Sequence, residues 1–161
     1  MCHLEHRHND WKKQGDSRNH EAEESENTLC KVEGRLSKGD RRRLAVKIKR
    51  SVREIPEEEE IILGADLNCH VGETAGGYEA CHGGFGYGLR NEEGEEMLET
   101  LESLELVLVN TGFKKRDEHL TSYRSGDSSS QIDFLVVRKR TRKNVRDAKM
   151  IPGEAVAHQY R

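Results

Sequence analysis

Apolar residues first recur regularly at Leu44, Ile48, Val52 and Ile55, three or four positions apart, with Lys and Arg between them. That spacing lines one face of an α-helix, which Pro56 ends. Ile61 to Leu63 follow as a short strand. Residues 72 to 90, GETAGGYEACHGGFGYGLR, are too rich in glycine for a regular element and are expected to form a loop. Asn91 then caps a second helix, with Glu92 and Glu93 in the first turn, where the positive helix end favours acids. Met97, Leu98, Leu101 and Leu104 give that helix one apolar stripe. LVLVN (106–110) is apolar on both faces, as in a strand buried between layers. LTSYRS (120–125) and QIDFLVVR (131–138) alternate like strands flanking a GDSS turn, and MIP (150–152) is a last short strand. No repeat of solenoid period is present. Helix, strand, helix and then several strands predict an α/β or layered α+β architecture.

Residues 1 to 40 break this pattern. Leu4, Trp11, Leu29, Val32 and Leu36 are nearly their only sizeable apolar side chains, and the stretch HEAEESEN is acidic throughout. Such a segment cannot bury enough surface to offset about 1–2 kcal/mol of backbone entropy per ordered residue. It is expected to be disordered or loosely helical, outside a domain spanning 41–161. Composition points the same way. The 161 residues suffice for one ordinary domain, but only 33% are hydrophobic and 35% are charged, so the core must be small. The net charge of −3 conceals acidic and basic blocks. No apolar run approaches the roughly 20 residues of a membrane span, and MCHLEHRHND lacks the apolar segment of a secretory signal. The four cysteines are therefore expected to be reduced thiols, and the protein to be soluble and intracellular, nuclear or cytoplasmic, without a membrane partner.

Candidate chemistry clusters around IILGADLNCHVG (61–72). In an extended backbone Asp66 and Asn68 point to one face and converge at the strand's carboxyl end, where α/β proteins often place their sites. An Asx turn closing the strand is the plainer alternative. Asp133 lies between Ile132 and Phe134, where a carboxylate needs a partner or solvent. His158 is a candidate acid–base partner. Cys69-His70 and Cys81-His82 carry zinc-type ligands, but their spacing matches no familiar zinc arrangement, so no structural zinc is expected. GGFGYG is not followed by G-K-[ST], which excludes a nucleotide-binding loop. The run RKRTRKNVRDAK (138–149) offers Arg138, Lys139, Arg140, Arg142, Lys143 and Arg146 to a phosphate backbone; a solvated hairpin is the alternative.

Taken together, ILGADLNCHVG, GGYEACHGGFGYGLRNEEG, HLTSYRS and SSQIDFLVVR resemble the C-terminal half of the endonuclease/exonuclease/phosphatase (EEP) superfamily. The likeness is greatest to endonuclease domains of RTE-clade, BovB-like non-LTR retrotransposons and the related craniofacial development protein 2-like group. The resemblance covers roughly residues 41 to 161. It implies part of a DNase I-like α/β/β/α sandwich, Mg²⁺ as cofactor, and nucleic acid, DNA above all, as partner. By the family's G-D-[LF]-N motif, with Ala65 where a second residue is commonly glycine, Asp66 would orient or deprotonate the attacking water and Asn68 would hold the scissile phosphate. Thr121 and Tyr123 match the strand beside the site, and Asp133 matches the aspartate that orients a catalytic histidine. Two departures stand out. Counting from IPGE, the histidine position holds Tyr160, preceded by Gln159, and a phenol that is mostly neutral at pH 7 cannot supply an imidazolium's charge. The family's first half, with its metal-binding glutamate, has no counterpart in residues 1 to 40. The expectation is a metal-dependent phosphodiesterase that is impaired or inactive. A non-catalytic nucleic-acid-binding or adaptor remnant is the alternative, and a fragment that folds beside another chain is a third possibility.

Overall fold

The computed structural model describes residues 2–6 and 38–151, with side chains from residue 44 onward. Its elements are strand β1 (Cys2–His6), helix α1 (Lys38–Glu54), β2 (Ile62–Asp66), helix α2 (Glu92–Ser103), β3 (Leu106–Leu108), β4 (Tyr123–Ser125), β5 (Ser128–Ser130), β6 (Asp133–Arg138) and β7 (Val145–Met150). Helices and antiparallel strands in one chain make this an α+β fold, as the apolar pattern predicts. The central sheet has the order β2-β6-β3, antiparallel throughout, and β1 and β7 form a two-stranded sheet.

β6 is apolar on both faces because both are covered. Phe134 and Val136 face one core, with Leu63, Ala65 and Leu67 of the β2 segment, Leu44, Ile48 and Val52 of α1, and Met97, Leu98 and Leu101 of α2. Leu135 and Val137 face a second core with Val109, Val145 and Ala148. Each fully buried Leu or Val contributes roughly 1.5–3 kcal/mol relative to exposure, so a short sheet suffices when helices and a second strand layer bury it twice.

α2 begins where expected. The Asn91 side chain accepts from Gly94 N at 2.8 Å and also from His70 N at 3.1 Å, so one amide oxygen caps the helix and ties it to the chain leaving β2. A Cβ on Gly94 would meet His70 O at 1.9 Å, so glycine is required for that approach.

Four boundaries differ from the pattern-based expectation. β2 runs to Asp66 rather than ending at Leu63, because its ladder with β6 continues to the Asp66–Asp133 pair. The hairpin joins β4 to β5 about Gly126-Asp127, not 120–125 to 131–138. The chain then changes partner and enters the central sheet as β6, a switch that alternation alone cannot reveal. The last strand lies earlier than 150–152, because the basic run folds into a 3-10 turn (Lys139–Asn144) followed by β7. Cys2–His6, assigned above to a segment outside the fold, pairs antiparallel with β7. Its backbone supplies the ladder partner of β7 in a two-stranded sheet. The rest of that segment up to residue 37 lies outside the described residues. Among the described residues, no helix is long and apolar enough to cross a membrane.

Candidate functional site

The register of the central sheet places Asp66, the last residue of β2, directly opposite Asp133, the first of β6. Leu67 N donates to Ile132 O at 2.8 Å, so that neighbouring pair is hydrogen-bonded and the aspartate pair is the close, non-hydrogen-bonded kind. Such positions bring side chains nearest, with Cα atoms about 4.5 Å apart. Both carboxylates are half-buried. Burial raises the pKa of Asp66 above the ordinary carboxylate value; the Asn68 N–H opposes this and the Asp133 charge adds to it. Two carboxylates facing one another in this way can share a cation or a polarised water.

Asn68 reaches the pair by a route other than strand alternation. The strand has ended, Asn68 adopts a left-handed backbone with φ 47, and its N–H donates to Asp66 Oδ1 at 2.9 Å. This is the Asx turn named above as the alternative, and it brings residues 66 and 68 together through a turn in place of a shared strand face. Asparagine is among the few side-chain-bearing residues that adopt such a backbone readily.

Asp133 is positioned by a residue that sequence reasoning passed over. Ser122 Oγ accepts from both Ile132 N and Asp133 N, each at 3.0 Å. Its neighbours, the candidates Thr121 and Tyr123, do other things. Thr121 Oγ1 donates to Asp117 O at 3.0 Å, and Tyr123 opens β4 opposite Ser130. A serine at the start of the stretch that forms the β4–β5 hairpin, eleven positions before Asp133, is the only sequence signal for this contact. Gln131 was also passed over. It is 1% exposed, and among the described residues neither atom of its amide has a partner, two residues before Asp133.

The basic run is not brought to this site. Arg138 is five residues further along β6, about 17 Å away in an extended strand. Its guanidinium donates to Ile55 O, Pro56 O and Glu59 O, and Arg140 also reaches Glu59 O. Arg142 donates to Gly112 O and lies over the Phe113 ring, 4.6 Å from its centroid. These three arginines tie carbonyls of the α1–β2 connection and of the turn after β3. Lys139, Lys143 and Arg146 are exposed. His158, Gln159 and Tyr160 lie outside the described residues.

Cys81 and His82 serve the interior, as does Cys69, whereas His70 is half-buried. Cys81 Sγ donates to Leu98 O at 3.6 Å, and burial pushes its thiol up to about 11. His82 has both ring nitrogens engaged, by Gly72 O and by Gly84 N. Among the described residues no three His, Cys, Asp or Glu side chains cluster as a metal site would require. For Mg²⁺ the described donors are the carboxylates of Asp66 and Asp133 and the amide of Asn68. These are hard oxygens of the type that ion prefers, with water and phosphate completing its shell.

No family model matches the chain, and no solved structure matches it. Over 100 residues, 61% of the chain, it is 32% identical to craniofacial development protein 2 of Bos taurus. It is 31% identical over 100 residues to the protein of the same name from Tragulus javanicus. The matched stretch amounts to 17% of each relative, so the chain spans about one sixth of the length of the curated relatives it matches.

Proposed function

We propose that this chain carries part of an EEP-type site for metal-dependent hydrolysis of phosphodiester bonds in nucleic acid, DNA above all, related to retrotransposon endonucleases. The observation that carries the reading is the Asp66–Asp133 pair facing across the sheet end, with the backbone N–H of Asn68 donating to Asp66. The likeness to craniofacial development protein 2 supports it.

In this reading Asp66 accepts a proton from, or orients, the attacking water, and the burial that raises its pKa makes it a stronger base than a solvated aspartate. The Asn68 amide donates to a phosphate oxygen. Asp133 supports the group at position 160, a tyrosine in this chain. Mg²⁺, when bound, supplies positive charge to the phosphate oxygens. Tyr160 offers a neutral hydroxyl where an imidazolium would stabilise developing charge. The loss of one such contact is typically worth ~10²–10³ in rate, so cleavage is expected to be slow. Exposed Lys139, Lys143 and Arg146 favour a second reading, a non-catalytic nucleic-acid-binding or adaptor protein.

The test is nicking of supercoiled plasmid with and without Mg²⁺, alongside DNA affinity at two salt concentrations. Slow, Mg²⁺-dependent nicking that disappears in Asp66→Asn and weakens in Asn68→Ala is the expected result. Nicking that survives Asp66→Asn would place the chemistry elsewhere. Salt-sensitive binding with no nicking at all would select the second reading.

A further inference from the structure

The loop between β2 and α2 exposes large apolar side chains on a framework that is unusually well tied down. Phe85 is 43% exposed and Leu89 87%. Exposed apolar residues on mobile loops need no explanation, but this loop is anchored on both sides. Phe85 N donates to Thr111 O and Gly83 N to Thr111 Oγ1, both at 3.0 Å. Gly86 N donates to Glu73 O at 3.1 Å, and Glu73 N to Gly88 O at 2.9 Å. A Cβ on Gly86 would meet Gly72 O at 2.0 Å, so the loop tip lies directly on the backbone of residues 72 and 73. His82, buried beneath it, bridges Gly72 O and Gly84 N through its two ring nitrogens.

The strut that holds the tip is the same chain that leaves the aspartate pair. Gly72 follows Asn68 by four residues, at most about 14 Å of backbone, or roughly four base steps of a nucleic-acid strand. The fold thus holds a partly exposed aromatic ring and a largely exposed aliphatic side chain within a few nucleotides of the candidate phosphate site. Ring contacts of the Arg90–Tyr78 kind engage the neighbouring aromatic, Tyr78. No ring contact involves Phe85 among the described residues.

We propose that Phe85, with Leu89 in the same loop, is a stacking platform for an unpaired nucleobase a few nucleotides from the phosphate held at Asp66 and Asn68. This rests on the nucleic-acid reading above and adds the form of substrate: single-stranded, or locally opened, at that base. An aromatic face accepts any base by stacking, independent of sequence. A duplex whose bases stay paired presents no such face to the ring.

The experiment measures affinity for a fluorescein-labelled single strand and for its duplex at one low salt concentration without Mg²⁺. A second set of strands carries 2-aminopurine, whose fluorescence reports stacking. Phe85→Ala should bind the single strand about 10-fold more weakly and should lose the quenching of 2-aminopurine, with duplex affinity unchanged. Phe85→Leu, which keeps a large apolar side chain but removes the ring face, should behave the same way with an unaltered melting temperature. Phe85→Trp should retain quenching. Unchanged single-strand binding in Phe85→Ala and Phe85→Leu would overturn the proposal, as would equal weakening for single strand and duplex. If the wild-type chain binds neither nucleic acid, the parent reading falls and the platform falls with it; that result is distinct from binding insensitive to residue 85.

Discussion

His82 allows a stability prediction worked from geometry to a number. The residue is 2% exposed. Gly84 N donates to Nδ1 at 3.0 Å, so Nδ1 must carry a lone pair, and Nε2 carries the hydrogen given to Gly72 O at 3.1 Å. A second ring proton would point at the Gly84 N–H. Burial is the main cause holding the pKa down at about 4; the Gly72 carbonyl opposes it, and the Arg90 charge adds to it. The unfolded chain has the ordinary histidine value of about 6.5. Between those values the unfolded state binds a proton that the folded state refuses. The stabilisation is therefore complete above about pH 6.5 and is lost as pH falls toward 4. At about 1.4 kcal/mol per tenfold change in proton affinity, the loss is about 3 kcal/mol. Urea unfolding at half-unit steps from pH 7.5 to 4 checks this in the wild type and in His82→Gln, which cannot titrate. Carboxylate effects are common to both proteins, so their difference isolates the histidine. The wild type should lose about 3 kcal/mol more than the variant across the window. Parallel profiles would refute the burial argument and with it the rigid footing assigned to the Phe85 loop.

Three further outcomes follow from single contacts. Arg90 donates to the carbonyls of Val71, Thr74, Ala75 and Gly76, a fork that lysine cannot reproduce. Arg90→Lys should therefore cost about 2 kcal/mol, read as a lower urea midpoint, and an unchanged midpoint would count against the role. Asn110 Oδ1 accepts from Leu135 N at 2.6 Å in the interior. Asn110→Ala strands that N–H and should cost about 1–3 kcal/mol by thermal unfolding; a neutral result would mean water replaces the amide. Gln131→Leu removes a buried amide with no partner among the described residues and should stabilise by a similar amount, about 1–3 kcal/mol. Destabilisation would show that Gln131 binds something in solution.

Local pattern determined much of this protein. The stripes at Leu44, Ile48 and Val52 and at Met97, Leu98 and Leu101 became the buried faces of α1 and α2, because a 3.6-residue period dictates which side chains share a face. Asn91 was legible as a cap because capping is chemistry between residues three apart. Asp66, Asn68 and Asp133 stood out because a carboxylate or amide at the end or inside of an apolar run is anomalous on its own. What escaped was every feature set by residues far apart in the chain. The Asp66–Asp133 register depends on β6 leaving the β4–β5 hairpin and changing partner, and no local spacing encodes that choice. Ser122 holds Asp133 from eleven positions away. Arg138 and Arg140, readable only as free positive charge, found carbonyls about eighty residues upstream. A strand at residues 2 to 6 was invisible in a polar segment because β7, its partner, lies at the other end of the chain. Charge and polarity state what a side chain needs; only the tertiary structure decides which distant group meets that need.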